Sequence, residues 1–513
     1  MKVSPRIVAL VKSNRTSLLK MISAIREEKD LKRRCVLSCE AATFAMQNNS
    51  DIYVSDVIEA PFLELAEKIN VPMHDSYVEG TVLHVATEVY LSGGHSRCIE
   101  RWIQLMSKQK HSCYLLNQGS EIPELLHELV DRSGGELVVA NRKDSMTARA
   151  KALRAYASSF QYVVLHIHMN DPISLIAFGT ERFKRPIIYF NHADHIFWLG
   201  ASIADYVADI SESRHEITIH RRNISRARLL GIPTDDKGNT TSATFSDPEK
   251  MKIAREKLDL SHAGKVIFSS GDSHKYAPIG TPDFADIVCG ILTQNPDVIF
   301  CLAGPKAEQE PWSKLAPEML NRIRFTGYLD YAIEYQLYLD ASDMVLDSYP
   351  VHGGTASIDA IQAGKPMLTL VTPLIHEFLA KSKGACQNLL ELITKATKVL
   401  NDSEYARRVY ENTRMWWTEY VDSAKWKERC ETLYKLLPTA HCVYSVNVPE
   451  VSEQLSHVSV ATAMWTRRPL NKWKKIRHTL LHYNKKIKEW CILGCRIRTA
   501  GYAENIFKED EIN

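Results

Sequence analysis

The sequence predicts an α/β protein of two lobes, each built on a parallel sheet, with a cleft between them. Three observations lead there. Short β-branched runs alternate with longer helical patterns over most of the 513 residues, and repeated strand–helix alternation makes parallel sheets. Several strand-like runs, such as Val298–Ala303, are apolar throughout, as strands covered on both faces are. A polar stretch rich in Asp, Asn, Thr and Ser, Pro233–Lys250, divides the strands into two series and reads as a linker.

In order, strands are expected at Arg6–Val11, Val82–Ala86, Cys113–Leu116, Leu137–Val139, Tyr162–His166, Ile187–Phe190 and Tyr206–Ile210. The second series is Val266–Ser269, Val298–Ala303, Ile323–Thr326, Met344–Leu346 and Met367–Leu370. Helical patterns include Arg97–Lys108, Asp283–Gln294 and Ile333–Ala341. Residues 1–78 form an accessory segment, read as an α/β or helical addition. Residues 79–240 make the first lobe and 251–402 the second. Helices over 403–437, with Trp416, Trp417 and Trp426, pack back on the lobes. Residues 438–513 are a basic helical tail.

Composition narrows the function. Hydrophobic residues are 45% and charged residues 24%, which excludes a mainly disordered chain. Sixty-four Lys and Arg against 61 Asp and Glu leave a net charge of +3, so a globally basic nucleic-acid binder is not indicated. Eleven cysteines are scattered without a CxxC pair or zinc spacing. With no signal-peptide core and no long apolar run, the expected location is the cytoplasm. Local charge is another matter. Thr466–Arg498 holds eleven Lys and Arg and one acid, Glu489, with apolar residues at helical spacing from Trp473 to Trp490. Three readings stay open: a helix docked on the protein, a helix on the inner face of an anionic membrane, or a polyanion clamp.

The strongest chemical signal is LDSYPVHGGTASIDAIQAGKPMLTL, Leu346–Leu370. It reads as strand, loop, helix, loop, strand. Gly353 and Gly354 let the backbone approach a ligand, and Thr355 opens a helix. A helix N-terminus behind a glycine pair aims amides and a positive dipole end at one point, which suits a diphosphate. Thr355 and Ser357 offer hydroxyls, and Asp359 lies one turn in, within reach of a ribose hydroxyl. Upstream, KVIFSSGDSHKYAPIG (Lys265–Gly280) ends a strand at Ser270 and Gly271 and carries His274 and Lys275 in the following loop. Ligands collect beyond the C-terminal ends of parallel strands, so both loops belong to one site, with Lys275 opposite a leaving diphosphate.

These residues in this order resemble a GT-B glycosyltransferase, and over residues 262–400 they are similar to the catalytic region of the O-GlcNAc transferase family (glycosyltransferase family 41). Asp347, Gly353, Thr355, Asp359, Ala363, Gly364 and Pro366 keep that family's frame; His352, Gly354 and Ala356 depart from it. The resemblance implies that Lys275 and Thr355 contact the donor diphosphate, with Ala356 offering only its amide, that Asp359 contacts the ribose, and that the loop at Tyr328 contacts the base. It also implies a UDP-sugar donor. The family's tetratricopeptide repeats are absent. In the first lobe, LSGGHSRCIERW (Leu91–Trp102) is similar to the first glycine-rich loop of glycosyltransferase family 4, with Gly93, Gly94 and Arg97 across the cleft from the donor. That family's Glu-x7-Glu motif is broken, because Val351 stands at its first position.

Glycosyl transfer needs a stabilised leaving diphosphate, a positioned acceptor hydroxyl and, for inversion, a base. No Asp-x-Asp motif stands at a strand end, so no metal and no cofactor besides the donor is expected. Base candidates are His95, then His168, then Asp194. Asp171, His192 and Trp198 complete an acceptor side, with Trp198 able to stack on a sugar. The expected activity is transfer of a hexosyl or N-acetylhexosaminyl group to a glycan, lipid-linked or protein acceptor. A nucleic-acid-modifying transferase and a UDP-sugar epimerase of GT-B fold are the alternatives.

Overall fold

The structure is a computed structural model. It describes residues 5–91, 94–234, 245–278, 281–331, 333–373, 375, 377–446, 455, 456, 458, 459, 462 and 463. The basic segment 466–498, Gly93 and residues 235–244 of the linker lie outside the described residues.

The chain opens with three helices, α1 (Pro5–Glu27), α2 (Leu31–Gln47) and α3 (Asp56–Lys68). The strand expected at Arg6–Val11 is therefore a correction: it lies inside α1. Ile7, Val11, Leu18, Ile22 and Ile25 are buried. Steps of three, four and seven put them on one helical face, and that periodicity outweighs the β-branched start. The accessory segment is helical up to Lys68.

The first lobe runs β1 (Val78–Ala86), α4 (Gly94–Leu105), β2 (Lys110–Leu115), α5 (Glu124–Arg132), β3 (Leu137–Val139), α6 (Met146–Ala157), β4 (Phe160–His166), α7 (Ile173–Phe178), β5 (Ile187–Asn191), β6 (Tyr206–Asp209), α8 (Glu212–His220) and β7 (Ala227–Leu229). Its seven strands are parallel in the order β3-β2-β1-β4-β5-β6-β7. The second lobe runs α9 (Pro248–Lys257), β8 (Lys265–Ser270), α10 (Phe284–Gln294), β9 (Val298–Ala303), α11 (Pro317–Leu320), β10 (Ile323–Gly327), α12 (Glu334–Ala341), β11 (Met344–Leu346), α13 (Thr355–Gln362), β12 (Met367–Leu370), α14 (Glu377–Ala380), β13 (Ala385–Cys386), α15 (Leu389–Asn401) and α16 (Ser403–Val421), and α17 (Ser423–Leu436) follows it back on the first lobe. Its six parallel strands follow β10-β9-β8-β11-β12-β13. In each sheet the strand order reverses once, between β1 and β4 and between β8 and β11. Loops leaving those strands open a crevice there.

Buried polar groups fasten the accessory helices to the first lobe. Arg154 of α6, 1% exposed, donates to the carbonyls of Ala66 (2.8 Å) and Ile69 (2.8 Å) at the end of α3. It also donates to those of Ile176 (2.9 Å) and Ala177 at the end of α7. One guanidinium thus satisfies carbonyls that two helix C-termini leave open. Glu59 of α3 accepts from the amides of Gly200 (2.7 Å), Ala201 (3.0 Å) and Ser202 (2.9 Å).

Among the described residues two chain crossings join the lobes, and they bond to each other. Thr234 Oγ1 donates to the Val421 carbonyl at 3.1 Å, Trp426 Nε1 to that of Gly231 at 3.2 Å, and Arg429 Nε to that of Leu230 at 3.0 Å. The second crossing falls between α16 and α17. Trp426 of α17 then packs edge-on against Trp102 of α4, with centroids 5.1 Å apart.

Three buried histidines on neighbouring strands form a directed chain. His111 Nε2 donates to the Met106 carbonyl (2.9 Å), His84 Nε2 to His111 Nδ1 (3.0 Å), and His166 Nε2 to His84 Nδ1 (3.1 Å). A carbonyl only accepts, so for neutral rings every tautomer in the chain follows from that first bond. Burial holds His84 and His166 well below the ordinary value and His111 at about 4. The unfolded chain takes up protons near pH 6.5 that the folded chain refuses. This contribution to stability is full above pH 6.5 and is lost as pH falls toward about 4, at ~1.4 kcal/mol per pH unit for each proton taken up on unfolding. The melting temperature is expected to drop between pH 7 and pH 5; a flat profile there contradicts the chain.

Candidate active site

A cleft of about 260 Å³ lies between the lobes. From the first lobe, Gly94, His95, His192, Asp194, His195 and Arg214 face it; from the second, His274, Lys275, Val351, His352, Gly354 and Thr355. Apart from Arg214, which follows β6, these residues leave the C-terminal ends of strands at or beside the two reversal points.

Two helix N-termini meet here. A Cβ added to Gly94, the first residue of α4, would lie 3.4 Å from the Thr355 side chain, the first residue of α13. Each end carries the positive pole of its helix, where the first amides have no acceptor inside the helix. Two positive poles facing each other favour an anion between them. Lys275 adds a full charge. Its Nζ donates to the His352 carbonyl at 3.2 Å; burial pulls it below the ordinary lysine value, opposed by Asp347 and Asp272.

The glycine loop is shaped by Asp347, which is 5% exposed. Its carboxylate accepts from the Gly353 amide (2.8 Å), from Thr369 Oγ1 (3.0 Å) and from Ser357 Oγ (3.4 Å), and pairs with His352 Nδ1 (2.8 Å). Thr372 Oγ1 meets His352 Nε2 at 2.7 Å. The Gly353 amide and the Ser357 hydroxyl are therefore engaged inside the loop. Gly354 takes the N-cap position, and Thr355 and Ala356 follow in the first turn. Thr355 lines the cleft; Ala356 does not.

Of the base candidates, His95 has the most suitable geometry. Its Nε2 donates to the His166 carbonyl at 2.8 Å. Nδ1 therefore carries the lone pair of the neutral ring, buried and without a hydrogen-bond partner among the described residues. Burial, with His168 nearby, lowers His95 to about 4. The His192 ring lies 4.5 Å from it. His168 stands off the cleft, with Nε2 3.2 Å from Tyr90 OH. Asp194 faces the cleft but is spent: Arg214 Nε is 2.8 Å away and Ser211 Oγ donates at 3.2 Å. Burial raises it, yet the Arg214 charge and the hydrogen bond and charge of His195 leave it well below the usual carboxylate range.

Other expected site residues lie elsewhere. Trp198 is fully buried, stacked 4.2 Å from Tyr189 and 4.9 Å beneath Arg222, so it presents no face to a sugar. Asp171 is buried too. It accepts from Thr87 Oγ1 (2.5 Å) and the Ile173 amide (2.9 Å) and so holds the start of α7. Ser270 bonds Tyr335 OH at 3.3 Å, and a Cβ on Gly271 would meet the Lys275 stem at 3.1 Å. Tyr328, 69% exposed, is held by Asp272 at 3.1 Å. Asp359 pairs with Arg101 of the first lobe, and the Arg97 guanidinium lies over the Tyr331 ring. Sequence reasoning missed Arg214, whose signal was a helix start just after β6, and the Asp347–His352 pair, five residues apart. Among the described residues no cluster suits a metal ion and no helix is long and apolar enough to cross a membrane.

The family model described as glycosyl transferases group 1 matches residues 284–416, in the second lobe and its following helices. Anabaena HepE in complex with UDP and glucose is similar to this chain with a TM-score of 0.53 and 16% identity, over 69% of this chain and 99% of that one. The fold is GT-B. A glycosyltransferase from Rickettsia africae is similar at TM-score 0.52 and 14% identity, over 71% of this chain and 99% of that one. Sucrose-phosphate synthase from Thermosynechococcus elongatus is similar at 0.50 and 14%, over 70% and 98%. These likenesses are of GT-B architecture. No curated protein matches the chain.

Proposed function

We propose that the protein transfers a sugar from a nucleotide-sugar donor to a hydroxyl acceptor, binding the donor diphosphate between α4 and α13. The meeting of two helix N-termini beside a half-buried lysine carries this reading. The family match in the second lobe supports it. UDP is the proposed nucleotide; HepE structures hold UDP and UDP-glucose. Helix ends and Lys275 supply the stabilisation of the leaving group that a metal supplies elsewhere, so the transfer is proposed as metal-independent.

In the reaction His95 Nδ1 takes the proton of the acceptor hydroxyl as its oxygen bonds to the sugar carbon. The bond from that carbon to the diphosphate oxygen breaks, and its electron pair leaves with the diphosphate. The acceptor is a glycan, lipid-linked or protein hydroxyl. The 466–498 segment, with its eleven cations, suits an acceptor at an anionic surface.

Release of nucleoside diphosphate from a panel of nucleotide-sugars, with EDTA present, tests the reading. Release from UDP-sugars above that from GDP- and ADP-sugars supports it. No release from any donor, with or without candidate acceptors, contradicts it.

A further inference from the structure

Arg97 and Arg101 stand one turn apart on α4 and reach the second lobe. The Arg97 guanidinium lies 3.8 Å above the Tyr331 ring. Arg101 Nη2 donates to Asp359 Oδ1 at 3.1 Å and to Tyr331 OH at 3.3 Å, and Tyr331 OH donates to the same Oδ1 at 3.0 Å. Arg101 is 1% exposed and Asp359 8%. None of the three side chains Arg101, Tyr331 and Asp359 lines the cleft.

This is an unusual place for a closed ion pair. Asp359 sits four residues into α13, one turn behind the end that faces the anion site. A carboxylate there repels a diphosphate but accepts well from a hydroxyl beside one. In this structure Oδ1 already receives two donors, one of them from the opposite lobe. A buried ion pair gains little over the same charges separated in water. Such a pair is suited to exchange where the ligand's hydroxyl takes over the carboxylate and the lobes part enough for Arg101 to reach water, since the net free energy to match is then small.

We propose that Arg101 is a clasp: it holds Asp359 in the ligand-free protein and yields it to a hydroxyl of the donor. The inference rests on the donor site proposed above. It makes Arg101 a competitor of the donor, since apparent affinity falls by the fraction of molecules in which the carboxylate is occupied. A ligand that touches only the helix ends and Lys275 does not compete.

Calorimetric titration of UDP and of inorganic pyrophosphate tests this on wild type, Arg101→Met and Tyr331→Phe. Methionine keeps a long stem, removes the charge and leaves Tyr331 on Asp359. Arg101→Met is expected to bind UDP on the order of tenfold more tightly, with pyrophosphate affinity unchanged. Tyr331→Phe, which removes one donor and keeps the ion pair, is expected to shift UDP the same way by less, and it carries the test should Arg101→Met not fold. Lys275-dependent UDP binding in wild type, with equal or weaker binding in the folded variants, overturns the clasp and leaves the donor site standing. Wild type that binds neither ligand overturns both.

Discussion

Lys275→Ala is expected to cut turnover of the nucleotide-sugar by on the order of 10²–10³-fold, the cost of removing one preorganised donor from a developing oxyanion. The half-buried ammonium lines the cleft beside the first turn of α13. Among the described residues one of its three N–H groups is accounted for, by the His352 carbonyl, which leaves donors for a leaving diphosphate. Its role differs from that of the helix ends. They offer partial charge spread over several amides, and Lys275 offers a whole charge on a movable stem. The fold should barely notice the change, since the lost contact is one hydrogen bond to a backbone carbonyl, worth ~1 kcal/mol. Paired measurements of turnover and melting temperature separate the two effects. Turnover near the wild-type rate in a folded Lys275→Ala protein contradicts the placement of the diphosphate.

His95→Gln is expected to lower kcat by about 10²–10⁴-fold, the usual worth of a positioned base, with the donor KM little changed. Glutamine can still donate to the His166 carbonyl but has no basic nitrogen where Nδ1 was. The base acts deprotonated, so the rate rises with pH as His95 loses its proton. In the free protein that happens at about 4. A diphosphate bound between α4 and α13 places negative charge near the ring, which favours the imidazolium and raises the value. The acid limb of kcat should therefore lie at higher pH than that of kcat/KM. Coincident limbs, or His95→Gln with unchanged kcat, contradict the assignment.

How much of this was legible in the sequence depends on what each residue type reveals alone. Strands such as Val298–Ala303 and Met344–Leu346 were, because a strand covered on both faces is apolar along its length. β7 at Ala227–Leu229 and β13 at Ala385–Cys386 were not, since Arg228 interrupts the first and two residues carry no period. Lys275, His95 and Thr355 follow strand ends and face one cleft, a position that chain order implies once the sheet is parallel. Burial of side chains beyond the strand end is harder to read. Trp198 looks the same in sequence whether it stacks on a sugar or on Tyr189. Gly353 promised a free amide, and Asp347 six residues earlier claims it. Asp359 promised a hydroxyl acceptor, and its partner Arg101 lies 258 residues away in the other lobe, beyond any local pattern.

The central claim, that a nucleoside diphosphate sits between the two lobes, is tested most directly by the melting temperature of the wild-type protein against UDP, GDP, ADP, CMP and TDP. A ligand bound only by the folded state stabilises it by mass action, about 2.7 kcal/mol at a hundred times its Kd. The account predicts a saturable rise with UDP, smaller or absent with the other nucleotides, and lost in Lys275→Ala. No rise with any nucleotide, or a rise that Lys275→Ala keeps in full, contradicts it.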